Sequence, residues 1–385
     1  MRTFSFCIVA ATFLYLCACS GAVDDVTDGV GANNGANNGA NNGANNGANN
    51  GANNGANNGA NNGANNGANN GANNGANNGA NNGANNGLTT PELPTVAGEH
   101  ALEVNWEGED RTLIITIPED WDPSTPAPLL LSLHGGNGSA PAWQGKRSGL
   151  VRGASERGWV TAIVEGALSE GAEGDNHGWN SWGLESTPAD DIGFFVVLID
   201  WLVTGLSLDS ERVFMSGFSN GAAMTQRFAA EHPELLRGAF AICHSTRLVL
   251  STGVDAPMCG ECTAACDLDA CPFVNEGVTY EIPEPVGATH MMVVRGGSDE
   301  NVCPSSGCSI KMKAHATAEE QIEFWTGHLN CDPEGSQTEL PGGVALRRFE
   351  GCDGGKVVQA VYDPSLAHMW SDKYDEPALA WFESL

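Results

Sequence analysis

One short segment, Gly217-Phe218-Ser219-Asn220-Gly221, has the residue types that present a serine hydroxyl as a nucleophile. It follows a strand-like run, Arg212–Ser216, and leads into a helix-forming run, Asn220–Glu231. A sharp turn between a strand and a helix exposes the serine at the amino end of the helix, where the helix dipole favours negative charge. Ser219 is therefore the candidate nucleophile, and an ordinary glycine–serine turn is the alternative.

A second glycine-rich turn, His134-Gly135-Gly136, follows the apolar run Leu129–Leu133. Attack of a serine on a carbonyl carbon creates a negatively charged oxygen, which two backbone N–H groups must stabilise. In chains with this kind of strand-to-helix turn, one donor follows the nucleophile and the other comes from an earlier loop. We expect the amides of Asn220 and Gly136 to be these donors, with a plain glycine turn as the alternative for His134–Gly136.

An acid and a histidine base should follow the serine along the chain, in that order. The run Gly296-Gly297-Ser298-Asp299-Glu300 comes directly after the apolar segment Met291–Arg295. Asp299 is the expected acid, because a carboxylate there would orient the imidazole and stabilise its charged form. Glu300 is the second choice.

Three histidines follow this acid: His315, His328 and His368. The first two fall at the start and near the end of a predicted helix, Thr317–Leu329, where surface or packing roles are expected. His368 follows the last predicted strand in a loop, which suits a base that must reach over the serine. We therefore predict a triad of Ser219, Asp299 and His368.

Eight segments are predicted to be strands, because they are short, apolar and bounded by turn residues. The first two form an antiparallel hairpin with the turn Glu107-Gly108-Glu109-Asp110, and six more alternate with helical patterns. Such alternation predicts an α/β fold whose eight-stranded, mostly parallel sheet carries helices on both faces. The predicted strands are Ala101–Trp106, Thr112–Ile117, Leu129–Leu133, Val160–Val164, Arg212–Ser216, Ala239–Cys243, Met291–Arg295 and Val357–Tyr362. The predicted helices are Asp191–Thr204, Asn220–Glu231 and Thr317–Leu329.

The first twenty residues indicate export, because a basic residue precedes an apolar run that is shorter than a membrane-spanning helix needs. The run ends in Leu16-Cys17-Ala18-Cys19-Ser20, which resembles the bacterial lipobox. The resemblance implies a signal peptide of residues 1–19, lipid attachment at Cys19 and sorting to the outer membrane. The alternative is ordinary secretory cleavage after Ala18 or Ala22. Membrane contact is expected only through the lipid.

Residues 31–86 repeat Gly-Ala-Asn-Asn without interruption. The repeat has no large apolar side chain and no charge, so burial cannot offset the entropy of ordering it. We predict a disordered linker over residues 20–96 and a single catalytic domain over residues 97–385, a length that suits one sizeable α/β domain.

The formal net charge of the chain is −30. A strongly acidic protein is repelled by nucleic acid and by anionic lipid head groups. Nucleic acid is therefore excluded as a partner, while the charge itself names no substrate.

Nine of the twelve cysteines lie between Cys243 and Cys352, a density that favours disulfides in an oxidising compartment. We expect Cys303 to pair with Cys308 and Cys331 with Cys352, and Cys243 to be a buried free thiol. Four closely spaced cysteines are also expected to form disulfides, with structural zinc as the alternative. These four are Cys259, Cys262, Cys266 and Cys271.

The chain resembles the secreted esterases of the polyhydroxybutyrate-depolymerase and feruloyl/acetylxylan-esterase group, which have the α/β-hydrolase fold. The segments that carry the resemblance are Asp190–Phe194, Leu208–Phe214, the Ser219 turn with Ala222-Ala223-Met224, His232-Pro233-Glu234, Trp179–Trp182, and the pair Cys331 and Cys352. The resemblance implies ester cleavage by the triad without metal or cofactor. Two departures concern substrate choice: His368-Met369-Trp370-Ser371-Asp372 replaces the usual His-x-Trp-Pro-Gly, and Cys259–Cys271 is an insertion.

Three tryptophans, Trp143, Trp182 and Trp370, lie in predicted loops and would suit either a substrate pocket for a ring or core packing.

The leading hypothesis is a serine ester hydrolase that acts on feruloyl or acetyl esters of polysaccharides, or on polyester oligomers. A serine peptidase and a catalytically silent surface-binding protein on the same fold are the alternatives.

Overall fold

The computed structural model describes residues 87–168, 176–183, 189–251, 277–302 and 313–385. Within them, eleven strands form one large sheet in the order β1-β2-β3-β5-β4-β8-β9-β12-β16-β15-β14. These strands are β1 (Leu88–Thr89), β2 (Gly98–Trp106), β3 (Glu109–Ile117), β4 (Leu129–Leu133), β5 (Val160–Val164), β8 (Val213–Phe218), β9 (Gly238–Ile242), β12 (His290–Gly296), β14 (Ser336–Leu340), β15 (Val344–Phe349) and β16 (Val358–Asp363). Smaller sheets pair β6 (Ala167–Leu168) with β7 (His177–Gly178), and β10 (Arg247–Ser251) with β11 (Gly277–Glu281) and β13 (Lys313–His315).

All eight predicted strands lie in the large sheet, where they occupy the eight consecutive places from β2 to β16. The run from β5 through β4, β8, β9 and β12 to β16 is parallel, and β2 and β3 precede it as an antiparallel pair. This strand order is that of the α/β-hydrolase fold. The sequence did not predict β1, β14 and β15. Of the two edge strands among them, β1 has only two residues and every residue of β14 is exposed.

Five helices cover the two faces of the sheet in the described part of the chain, and each face has its own apolar core. They are α1 (Ala140–Ser155), α2 (Asp191–Gly205), α3 (Asn220–Glu231), α4 (Ala318–His328) and α5 (Asp375–Glu383). Helices α2, α3 and α4 pack on one face, and α1 and α5 pack on the other. The three predicted helices are α2, α3 and α4, and a capping box of Thr317 and Glu320 begins α4. None of the helices in the described ranges has the length and apolar character needed to cross a membrane.

The first hairpin is tighter than the sequence indicated. Trp106 pairs directly with Glu109, so the turn is the two residues Glu107 and Gly108, with φ of 52° and 94°. Two consecutive residues with positive φ match the twist of the flanking strands. Upstream, Leu88 pairs with Trp106 and is buried in the core, so the folded chain begins before the predicted boundary at residue 97.

A disulfide joins Cys331, just after α4, to Cys352, which precedes β16, as the sequence predicted. Cys243 is a buried free thiol, also as predicted. The remaining cysteine predictions lie outside the described residues, as do the signal peptide and the repeat. They concern Cys19, Cys259, Cys262, Cys266, Cys271, Cys303 and Cys308.

Candidate active site

The backbone at Ser219 is strained, with φ of 52° and ψ of −121° at the junction of β8 and α3. The turn is so tight that a Cβ at Gly217 would lie 2.2 Å from the Gly221 carbonyl oxygen. A Cβ at Gly221 would in turn lie 2.4 Å from the carbonyl oxygen of His134. Only glycine fits at either position, so the two glycines of the motif are required by the close approach of neighbouring backbone.

Three side chains that are distant in sequence meet at the carboxyl ends of β8, β12 and β16. The Ser219 Oγ lies 2.9 Å from Nε2 of His368. The Nδ1 of the same ring lies 2.9 Å from Oδ2 of Asp299. The structure therefore brings together the three residues that the sequence singled out, in the order hydroxyl, imidazole, carboxylate.

Asp299 is buried, and its second oxygen is held by the main chain. Its Oδ1 accepts hydrogen bonds from the amides of Asn301 at 2.9 Å and Val302 at 2.8 Å. Glu300, the second choice for the acid, is exposed. With one oxygen on two amides and the other on His368, the Asp299 carboxylate has a single orientation toward the imidazole.

Neither of the other candidate bases contacts the serine. His315 is buried, and its Nδ1 lies 3.2 Å from the Ser245 hydroxyl. His328 ends α4 on the surface, beside Phe324. Both have the packing or surface positions that the sequence indicated.

The loop that carries His368 is fastened at its start by a buried aspartate, Asp363, at the end of β16. This carboxylate accepts hydrogen bonds from the Tyr374 hydroxyl at 2.8 Å, from the amide and hydroxyl of Ser365, and from Lys373. Burial alone would raise the pKa of Asp363, but these hydrogen bonds outweigh it and hold the pKa at about 2. The loop is thus anchored by a carboxylate that stays charged.

The Cys243 thiol lies directly beside Asp299 and His368. Its sulfur, a carboxylate oxygen of Asp299 and a ring nitrogen of His368 all lie within 4.8 Å of one another. Its sulfur is 3.7 Å from the Ala367 carbonyl oxygen and 3.6 Å from that of Met369, on either side of the base. Burial, reinforced by the charge of Asp299, raises the pKa of the thiol well above its ordinary value. The thiol therefore stays neutral and does not compete with Ser219 as an anion.

Gly136 and Asn220, whose amides are expected to bind an oxyanion, lie next to each other beside Ser219. A Cβ at Gly136 would lie 3.4 Å from the Asn220 Cβ, which places the two residues in contact. Neither backbone N–H donates a hydrogen bond within the described part of the chain. Asn220 is the first residue of α3, where backbone N–H groups have no partner inside the helix. Both donors are available for an oxygen bound in the gap.

The side chain of Asn220 has a positioning role that sequence reasoning missed. It accepts the Trp179 amide at 2.7 Å and donates to the Trp179 carbonyl at 3.0 Å and the Ser181 hydroxyl at 2.9 Å. The next amide, that of Asn180, donates to the buried Asp191 at 2.6 Å. The clustered polar residues of Trp179–Trp182 were visible in the sequence, but no spacing rule indicates which helix they bind.

A cavity of about 270 Å³ opens beside the triad. It lies between the loop of residues 134–139 and His368, with Ala142, Phe218 and Met369 on its walls. The Met369 side chain is exposed, and sequence reasoning did not single it out. Its place directly after the base was the available signal.

The three tryptophans take different positions. Trp143 and Trp370 line the cavity but are buried, and their rings meet edge to face at 5.5 Å between centroids. The indole N–H of Trp143 donates to Ser132, and that of Trp370 to Asp375. Trp182 is not among the residues that line this cavity and packs against His244. Core packing therefore accounts for most of the surface of Trp143 and Trp370.

Parts of the chain are similar in sequence to proteins named as esterases. No protein-family model matches the chain. A 111-residue segment is 36% identical to NocK of Nocardia uniformis subsp. tsuyamanensis, a protein named as an esterase, and covers 29% of this chain and 31% of the relative. A 129-residue segment is 29% identical to feruloyl esterase B of Piromyces equi, over 34% of this chain and 23% of the relative. The sequence similarity is therefore to proteins named as esterases.

These matches span about a third or less of each of the two relatives. The similarity to these two proteins therefore concerns only part of their length.

Among solved structures, acetyl xylan esterase from Aspergillus awamori is similar with a TM-score of 0.47 and 14% identity, and the match covers 71% of this chain and 94% of that one.

Proposed function

We propose that the protein is a serine carboxylic ester hydrolase that acts through an acyl-enzyme. The observation that carries the proposal is the unbroken hydrogen-bond chain from Ser219 through His368 to Asp299, with 2.9 Å at each step. A hydroxyl becomes an effective nucleophile when a base takes its proton and a third group orients that base. Gly136 and Asn220, whose amides would stabilise the oxyanion, lie next to each other.

The reaction follows from this arrangement. Nε2 of His368 takes the proton of the Ser219 hydroxyl as Oγ bonds to the ester carbonyl carbon. The carbonyl electron pair moves to oxygen, where the Gly136 and Asn220 amides stabilise it by roughly 3–4 kcal/mol per donor. When the pair returns, the alcohol leaves with the proton from His368. Water then gives a proton to His368 as its oxygen bonds to the acyl carbon, and His368 returns that proton to the Ser219 Oγ as the acyl–oxygen bond breaks and the acid leaves.

Two substrate classes fit the proposal: feruloyl or acetyl esters of polysaccharides, and polyhydroxyalkanoate-type polyesters. The cavity of about 270 Å³ beside the triad suits a short acyl chain or a single ring. It is bounded by the glycine loop on one side and by exposed Met369 on the other. A small, open subsite of this kind is compatible with an ester at the end or edge of a polymer.

The proposed location is outside the cytoplasm, with the domain attached to the outer membrane through a lipid on Cys19. The disulfide between Cys331 and Cys352 supports an oxidising compartment. The substrate is then the only proposed partner besides the membrane lipid, and nucleic acid is not one.

The test is a hydrolysis panel of acetyl, feruloyl, hydroxybutyrate and peptide substrates, combined with labelling by a fluorophosphonate. We expect wild type to be labelled and to cleave esters, and Ser219→Ala to lose label and at least about 10³-fold in rate. Ser384→Ala is the matched control, because this serine lies at the end of α5 and donates to Trp381. Failure of wild type to take the label would favour a silent binding protein. Faster cleavage of peptides than of esters would favour a peptidase.

A further inference from the structure

His134, the first residue of the His-Gly-Gly turn, has both ring nitrogens committed to the main chain. The ring is fully buried. Its Nε2 accepts a hydrogen bond from the Gly166 amide at 2.9 Å, and its Nδ1 lies 2.7 Å from the carbonyl oxygen of Gly135. Because a backbone amide can only donate, Nε2 carries no proton, and Nδ1–H donates to Gly135. The two contacts therefore fix one neutral tautomer.

The Gly135 carbonyl belongs to the same peptide unit as the Gly136 amide. In a trans peptide the C=O and N–H point in opposite directions, so fixing one fixes the other. The Gly135 oxygen also accepts the Gly138 amide at 3.1 Å, which gives it two donors. A Cβ at Gly138 would lie 2.9 Å from His134 Nδ1, so the turn closes tightly around the ring. The direction of the Gly136 N–H thus depends on His134.

We propose that His134 is a positioning residue that orients the Gly136 amide toward the oxyanion, and that the turn after β5 holds His134 in place. The inference rests on the proposed ester hydrolysis and goes beyond it, because it assigns a role to a side chain that never touches the substrate. It also explains why a buried polar ring stands at the end of an otherwise apolar strand, β4.

The turn after β5 is itself tied to the glycine loop at several points. Glu165 accepts the amide of Ala140, the first residue of α1, at 3.0 Å, and that of Thr112 at 3.1 Å. The His177 amide donates to the Gly138 carbonyl at 3.1 Å. A Cβ at Gly166 would lie 2.3 Å from the Gly178 carbonyl oxygen. Neighbouring backbone therefore packs tightly around Gly166, whose amide donates to His134. The turn therefore holds its amide at a fixed position under the ring.

The charge state of His134 agrees with this role. Burial lowers its pKa to about 4, against smaller opposing effects from the Gly135 carbonyl and the Glu165 charge, while nearby His177 lowers it further. The ring is therefore neutral at pH 7, as the acceptor contact to Gly166 requires.

Two substitutions separate the two contacts. His134→Asn places an amide donor near the Nδ1 position and keeps the contact to Gly135, whereas His134→Gln places its oxygen near the Nε2 position and keeps only the contact to Gly166. We expect kcat on a p-nitrophenyl ester to fall about 10- to 100-fold in His134→Gln with KM within about twofold, because one oxyanion donor is misdirected. His134→Asn should recover most of this loss. Equal kcat for folded His134→Gln and wild type would overturn the inference.

His290→Asn is the matched control. This histidine is also buried, and its Nδ1 accepts the Val357 amide at 3.1 Å, but it begins β12 at the opposite end of the sheet from the triad. We expect it to lose stability without a change in kcat. A kcat loss in His290→Asn as large as in His134→Gln would show a general stability effect and would overturn the assignment.

Two further readouts keep the inference separate from the proposed function. Binding of a trifluoromethyl ketone, which forms an oxyanion on Ser219, should weaken in His134→Gln by the same factor as kcat/KM. The ¹⁵N resonances of wild-type His134 should show a protonated Nδ1 and an unprotonated Nε2 at pH 7, and the reverse tautomer would overturn the inference. If wild type cleaves no ester, the proposed function fails, and the tautomer still reports whether His134 holds the loop as described.

Discussion

The two halves of the site are positioned by different kinds of interaction. In the nucleophile half, the turns at residues 134–138 and 217–221 are set by close packing of backbone and of the neutral His134 ring, with no room for a Cβ at Gly217, Gly221 or Gly138. In the acid–base half, the loops are fixed largely by buried carboxylates: Asp299 on two amides and His368, and Asp363 on Tyr374, Ser365 and Lys373. One half depends chiefly on shape and the other chiefly on charge.

This difference predicts which changes each half tolerates. A methyl group added to the nucleophile half should misplace the serine or the oxyanion donors, whatever the charge. A neutral isostere in the acid–base half should leave the fold intact and remove function. Substitutions in each half, and a change of pH, test whether the two halves differ in this way.

The largest effect is expected from Asp299→Asn. The amide keeps an oxygen for the amides of Asn301 and Val302, but its NH₂ group faces His368 Nδ1 and favours the wrong tautomer. We expect kcat to fall about 10⁴-fold while the far-UV and near-UV circular dichroism stay unchanged. Loss of the near-UV signal would mean that the Asp299 carboxylate stabilises the tertiary structure in addition to orienting His368. The acid–base half would then not tolerate a neutral isostere.

Gly217→Ala should have the next largest effect. The added Cβ would lie 2.2 Å from the Gly221 carbonyl oxygen and 2.6 Å from the Thr225 hydroxyl, so the turn must open. We expect a loss of about 1–3 kcal/mol in unfolding free energy and of about 100-fold in kcat, because the nucleophile moves. Urea unfolding and ester hydrolysis measure the two.

Gly327→Ala in α4 is the control for that substitution. A Cβ there meets no atom within 4 Å, so alanine should be neutral or stabilise the protein by up to about 1 kcal/mol. If both variants behave alike, backbone packing does not distinguish the nucleophile half.

Lowering the pH should reduce the contribution of His134 and that of Asp363 to the stability of the fold, in two separate pH ranges. The pKa of His134 is about 4 in the folded protein against 6.5 in the unfolded chain, so its contribution to stability is present above pH 6.5 and is lost as the pH falls toward 4. The pKa of Asp363 is about 2 against 3.8, so its contribution is lost only between pH 3.8 and 2. The contributions are of the order of 3 and 2 kcal/mol respectively.

Urea unfolding from pH 7 to pH 2 tests these windows. The difference in unfolding free energy between wild type and His134→Asn should shrink between pH 6.5 and 4, and that between wild type and Asp363→Asn below pH 4. A difference that does not change with pH would show that the pKa values of His134 and Asp363 are not shifted by folding.

Local signals in the sequence account for much of the site. The motif Gly217–Gly221 located the nucleophile turn, because the close approach of two backbones demands glycine at both ends. The helix α3 was predicted from Asn220 to Glu231 with its observed bounds. The edge strand β14 escaped prediction, because an exposed strand on a sheet edge lacks the apolar pattern that identifies a buried one.

Residue types and their spacing along the chain were enough to predict eight strands and three helices in order, the serine turn, the candidate acid and base, and the pair Cys331 and Cys352. The assembled fold was needed to show which nitrogen of His134 is protonated, what the Asn220 side chain binds, and what the tryptophan rings contact. Those features depend on contacts between segments brought together only when the strands assemble into a sheet, and a hydrogen bond between such segments has no signature in either one alone.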